Sequence, residues 1–264
     1  MRKEQLDFFK RWFDDYVAGF YGDDEHVNAN LKLKENHTYA VCDEMRYLTG
    51  CLDIGEKDCL IAQTTALFHD VGRFEQFVKY GTYNDLRSEN HCELALDLLR
   101  QHGVLNELED RERKIIQTAI KFHGKKRLPV DLDRYTALFA KLIRDADKID
   151  IYRIVVEVYK EYMADPGRFN LEIEFPDEPS YSPQIVEAIL QGRLLDYSQL
   201  RTLNDMMLLQ LGWVFDVNFA ETLVKIREGQ FLEQIVAFLP RTDDIARAAK
   251  YVFNYVNSRL EQAE

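Results

Sequence analysis

The feature that most constrains the fold is the period of the apolar residues, which recur every three or four positions along most of the chain, beginning with Leu6, Phe9, Trp12, Phe13 and Val17. That spacing lines one face of an α-helix. Glycine, proline and capping residues cut the pattern into segments. Helices are expected over residues 36–48, stopping before Gly50; over 57–69, stopping before Gly72; and from a Ser88 N-cap to His102 and Gly103. Two more are expected over 110–123 and from 132 through Asp147 toward Tyr162. The stretch 164–183 interrupts this pattern: it holds Pro166, Pro176, Pro179 and Pro183, and Leu171, Ile173 and Phe175 alternate with acidic residues as in a short edge strand or ribbon. Helical patterning resumes over 184–264, with Leu208, Leu211, Val214 and Phe215 on one face and an amphipathic stretch over 245–256. The expected architecture is all-α: a helical core over 1–163, a proline-rich connector over 164–183, and C-terminal helices over 184–264 packed on that core.

A chain of 264 residues with 46% hydrophobic content can bury a substantial core. Residues 1–20 carry charges throughout, so no signal-peptide core is expected, and no stretch elsewhere is long and apolar enough to span a bilayer. A cytoplasmic protein without membrane contact is the expectation. Cys42, Cys51, Cys59 and Cys92 form no CxxC pair and are read as reduced thiols; Cys92, beside His91, is a possible ligand, with an ordinary thiol the preferred reading. The net charge of -12 argues against an extended nucleic-acid face, whereas a small anionic substrate remains compatible if local cations collect it.

Against that background stands an ordered set of polar residues: His37, His69-Asp70, His91, His123 and Asp147. Imidazole and carboxylate are the common ligands of divalent first-row metals. Helical spacing puts each on an inward face. His69 lines up with Ala62, Thr65 and Ala66; His91 with Leu94, Ala95 and Leu98; His123 with Ile116, Ala119 and Ile120; Asp147 with Ala140 and Ile143. A single histidine on such a face is ordinarily a hydrogen-bonded core residue. Five helices aiming polar groups into one bundle are hard to satisfy without an ion, since each unpaired buried polar group costs about 1 to 3 kcal/mol.

The order His37, His69-Asp70, then Asp147 within Asp145-Ala146-Asp147-Lys148, resembles the HD-domain superfamily of metal-dependent phosphohydrolases over about residues 30–155. The resemblance implies an HD-type helical bundle in which His37, His69, Asp70 and Asp147 bind a first metal ion, Asp147 being preferred to Asp145 because it follows the alanine. His91 and His123 match the extra histidines of the two-metal branch, in which Asp70 would bridge both ions. Such a pair acidifies a bridging water and clamps phosphoryl oxygens. Iron or manganese fits the ligand set first, with magnesium, zinc, nickel or cobalt as further candidates.

Arg73, just after Asp70-Val71-Gly72, is read as a forked phosphate clamp, and Lys148 beside Asp147 as additional positive charge. Lys125, Lys126 and Arg127 are read equally as further positive charge around His123 and as a solvated loop. Residues 74–90 are read equally as a loop at the site mouth, where substrate selection would reside, and as a structural loop. The arginine after Gly72, in place of the lysine of several two-metal subfamilies, and the absence of a GYP sequence speak against a cyclic-dinucleotide phosphodiesterase. The leading expectation is hydrolysis of a phosphate ester or anhydride in a nucleotide or other small phosphorylated metabolite. A di-iron oxygenase and a non-catalytic nucleotide sensor are the alternatives. Trp213, Phe215 and Phe219 are read as completing the core or forming a homodimer.

Overall fold

The structure, a computed structural model, describes residues 1–165 and 175–263. Its described residues form twelve α-helices and no strand, so the fold is all-α. The chain divides into two compact units, Met1–Asp150 and Ile151–Glu264, with the boundary inside α7 (Arg134–Ala164). No helix among the described residues is long and apolar enough to cross a membrane.

The first unit contains α1 (Lys3–Ala18), α2 (Glu25–Cys51), α3 (Glu56–Phe68), α4 (Gly72–Tyr80), α5 (His91–Gln101), α6 (Asp110–His123) and the first half of α7. Helix α3 packs on α1, α2 and α6, and α5 packs on α4 and α6. The core is filled by Phe9, Phe13, Leu31, Met45, Ile61, Phe68, Ile116 and Phe139, each at most 1% exposed. Each such side chain contributes about 1.5 to 3 kcal/mol through burial.

Three helix boundaries differ from the expectation. Helix α2 passes through Gly50 and ends at Cys51, because the Leu52 and Asp53 amides still bond back to the Leu48 and Gly50 carbonyls. It begins at Glu25, where the Asp24 side chain accepts the Val27 amide. Helix α5 is capped by Asn90, whose side chain accepts the Glu93 amide, while the Ser88 hydroxyl is drawn into bonds with Gln76 and Asn84. Residues 74–80, expected as loop, belong to α4: Phe74 and Phe77 are buried one turn apart, and Gly81 at φ 67° ends the helix.

Gly72 determines how closely α4 approaches α5. A Cβ there would stand 2.5 Å from the His91 carbonyl oxygen and 2.6 Å from the Ala95 nitrogen, both backbone atoms. Gly72→Ala therefore has to push the two helices apart, at an expected cost of about 2 kcal/mol. Thermal denaturation should register a fall in Tm of roughly 4 to 8 °C. An unchanged Tm would mean that the helices separate freely.

The second unit comprises the rest of α7, α8 (Pro183–Leu190), α9 (Leu203–Leu211), α10 (Ala220–Glu228), α11 (Phe231–Phe238) and α12 (Asp243–Glu261). Ile185, Leu208, Val214, Ile226, Ile235 and Val252 form its core, with Trp213 and Phe215 packed at the margin. Gly212 ends α9 before Val214 and Phe215, which lie in a 3-10 turn. Of the alternating Leu171, Ile173 and Phe175, the first two lie outside the described residues; Phe175 sits in a bend against Tyr197.

Candidate metal centre

Helix ends deliver most of the site. His69 is the C-terminal cap of α3, Asp70 lies in the turn into α4, His91 is the first residue of α5 and His123 the last of α6. His37 and Asp147 project from within α2 and α7. All four histidines and Asp70 are buried, none more than 6% exposed. The structure thus brings together all six residues singled out from the sequence.

One nitrogen of every imidazole is already committed. Nδ1 of His37 donates to Asp150 Oδ2 at 2.7 Å and Nδ1 of His91 to Asp85 Oδ2 at 2.7 Å. Nδ1 of His69 donates to the Ala66 carbonyl at 2.8 Å and Nδ1 of His123 to the Ile120 carbonyl at 2.7 Å. Carboxylates and carbonyls accept, so the proton of each neutral ring sits on Nδ1 and a lone pair on Nε2. The lone pairs converge. His91 Nε2 and His123 Nε2 lie 3.2 Å apart, and His37 Nε2 lies 3.1 Å from Asp147 Oδ1. Despite that approach, Nε2 of His37, Nε2 of His69 and Oδ1 of Asp147 are buried without a hydrogen-bond partner. Acceptors that face acceptors in a buried volume fit a divalent cation between them.

The two oxygens of Asp70 sort these rings into pairs. Oδ2 lies 3.7 Å from Nε2 of both His37 and His69; Oδ1 lies 3.6 Å from Nε2 of both His91 and His123. Asp147 completes the first pair, with Oδ1 3.7 Å from His69 Nε2. One carboxylate between two histidine pairs is the arrangement a bridging ligand requires. The donor atoms form overlapping groups, His37–His69–Asp70, His69–His123–Asp147 and His91–Cys92–His123, each within 4.8 Å.

The electrostatics of the two carboxylates point the same way. Burial pushes the Asp70 carboxyl up, but Lys34, His69 and Arg73 outweigh it and hold the group well below the usual carboxylate range. Burial likewise opposes ionisation of Asp147, and hydrogen-bonding and charge from His37 and His69 overcome it. His69 is lowered by burial, whereas His123 is raised despite burial by Cys92 and Asp70. The Cys92 thiol, which burial alone would raise, is brought down to about 5 by His123 and His91.

Arg73 is held mainly by protein groups: its Nη1 donates to Gln76 Oε1 at 2.8 Å, to the Tyr83 carbonyl at 2.5 Å and to Asp85 Oδ1 at 3.0 Å. Its Nε is buried 3.5 Å from Asp70 Oδ1 without a hydrogen-bond partner, which leaves that edge facing the site. Lys148 is half-buried next to Asp147, and Lys125, Lys126 and Arg127 are exposed.

Four contributors were not assigned a role from the sequence, and a fifth, Cys92, was a possible ligand there but not the preferred one. Lys34 places Nζ 2.8 Å from Asp70 Oδ2 and 5.3 Å from the Tyr83 ring centre. Arg144 caps the end of α6 through the His123 carbonyl. Asp150 orients His37, Asp85 orients His91, and Cys92 lies 3.4 Å from His91 Nε2. Helical spacing offered a signal for three of these: Lys34 precedes His37 by three residues, Arg144 precedes Asp147 by three, and Asp150 follows it by three. Asp85 comes from a loop and had no such signal.

Residues 35–152 match the family model of the HD domain, a span that contains every ligand residue named above. This portion of the chain is an HD domain, the fold of a superfamily of metal-dependent hydrolases. No curated protein and no solved structure matches the chain.

Proposed function

We propose that this chain is a binuclear metal-dependent phosphohydrolase that cleaves a phosphate ester or anhydride of a nucleotide or another small phosphorylated metabolite. The observation that carries the reading is the division of four buried imidazole Nε2 atoms between the two oxygens of Asp70. His37, His69, Asp70 and Asp147 would hold the first ion, and His91, His123 and Asp70 the second, with iron or manganese as the first candidates. Two bound ions supply Lewis acidity and acidify a water toward neutrality. The chain's own groups do the rest. Asp85 and Asp150 keep Nε2 of His91 and His37 turned inward, while Ala66 and Ile120 do so for His69 and His123. Arg73 Nε, Lys34 and Lys148 supply positive charge for phosphoryl oxygens, and the overall charge of -12 disfavours long polyanions.

The test is a panel of phosphatase and phosphodiesterase substrates run on protein of measured metal content. We expect phosphate release that chelation abolishes and manganese or iron restores. His91→Ala and His123→Ala should empty the second position and leave the helical content intact. Full activity and metal content in both variants would reduce the site to one ion. Oxygen consumption by iron-loaded protein without phosphate release would replace hydrolysis by oxidation, and tight nucleotide binding without turnover would make the domain a sensor.

A further inference from the structure

The second metal position contains a group that the histidine–carboxylate pattern does not include. Cys92 is the second residue of α5, 1% exposed, with Sγ 3.4 Å from His91 Nε2 and 3.6 Å from His123 Nδ1. We propose that Cys92 is a sulfur ligand of the second metal position, which makes that position selective for thiophilic ions. The proposal rests on the two-ion reading above.

The spacing supports coordination. Around a tetrahedral ion with metal–nitrogen bonds of about 2.0 Å and metal–sulfur bonds of about 2.3 Å, a nitrogen pair is about 3.3 Å apart and a nitrogen–sulfur pair about 3.5 Å. His91 Nε2 and His123 Nε2 are 3.2 Å apart, Cys92 Sγ is 3.4 Å from His91 Nε2, and Asp70 Oδ1 is 3.6 Å from both nitrogens. A thiol hydrogen bond explains less of the metal-binding state, in which both rings are neutral: Nδ1 of each then donates elsewhere, two Nε2 lone pairs face each other, and one S–H proton serves a single lone pair. Gly124 leaves room for the His91 ring beside the sulfur: a Cβ there would stand 3.1 Å from His91 Cε1, and only in ordinary contact with Cys92 Sγ at 3.6 Å.

A thiolate changes the ion preferred. Sulfur favours zinc, cobalt and ferrous iron over magnesium and manganese, which prefer oxygen-rich shells. The first position, with His37, His69, Asp147 and the other oxygen of Asp70, has no sulfur among its donor atoms. The two positions should therefore load unequally, with manganese replaceable by zinc or cobalt far more readily in the second.

Titration of the full chain with cobalt(II), followed by absorption spectroscopy and elemental analysis, tests this. We expect two cobalt ions per chain and an intense near-ultraviolet sulfur-to-cobalt charge-transfer band that develops with one of them. The band should vanish in Cys92→Ala and Cys92→Ser. Second-ion affinity should fall at least about tenfold, the lower end of what altering even a hydrogen-bonding neighbour of a metal ligand costs. Two ions without that band, or the band persisting in both variants, would overturn the sulfur ligand and leave the two-ion reading standing. A single ion with a Cys92-dependent band would support the ligand and overturn the two-ion reading; binding without any band and at one ion or none would overturn both. Circular dichroism on both variants shows whether either has unfolded, and the spectrum of the unaltered protein decides the matter if both have.

Discussion

Asp70→Asn should yield a helical protein that retains neither ion and no hydrolytic activity. Asparagine keeps the shape of the side chain but replaces one oxygen with an N–H donor and removes the charge that both histidine pairs face. Altering a group that only hydrogen-bonds to a ligand costs about 10- to 100-fold in metal affinity, so loss of the shared ligand should exceed about 100-fold at each position. His91→Ala, by contrast, removes a ligand from one position alone. Elemental analysis of the two variants side by side reads the difference. If Asp70→Asn kept the wild-type metal content, Asp70 would not be a bridge.

Arg144→Met should be the most damaging change outside the ligand set. Arg144 is 5% exposed, and its Nη1 donates to the His123 carbonyl at 2.9 Å, to the Phe122 carbonyl at 3.2 Å and to the Lys125 carbonyl. A buried cation at the C-terminal end of α6 meets the negative pole of the helix and the carbonyls of its last residues and of the turn beyond. Methionine restores the volume and none of the donors. With charge-assisted hydrogen bonds worth about 1.5 to 3 kcal/mol each, the expected loss is about 4 kcal/mol, or roughly 8 to 16 °C in Tm. Because Arg144 holds the backbone of His123, metal affinity at the second position should fall as well. Arg144→Lys should recover part of the stability, since it restores charge without the planar fork. Unchanged Tm and metal content in Arg144→Met would show that α6 is fixed by its apolar contacts alone.

These results bear on what could be read along the chain. The all-helical class and most helix positions follow from local periodicity, because residues three or four apart must share a helical face whatever lies opposite. Errors arose where a local signal competed with packing. Gly50 looked like a stop, but the amides of Leu52 and Asp53 continue bonding past it. Ser88 looked like a cap, but Gln76 claims its hydroxyl and Asn90 takes the capping role. The apolar pair Phe74 and Phe77 was too short a signal to announce α4.

The site shows the same division. Residue type and order were sufficient to nominate His37, His69, Asp70, His91, His123 and Asp147, since so many ligand-type side chains on inward helical faces need a common partner. The family resemblance implied how the histidines divide between two ions, and tertiary structure decided the distances at which the two pairs face the oxygens of Asp70, because these depend on several helices and have no trace in linear spacing. It also decided that Asp85, six residues before His91 in a loop, orients that ring, and that the Arg73 guanidinium is largely committed to Gln76, Tyr83 and Asp85. Periodicity is a property of one helix and is written in one segment. Ring orientation and the distances between ligand atoms are properties of several helices at once, and appear when close contacts such as that of Gly72 against α5 bring those helices into register.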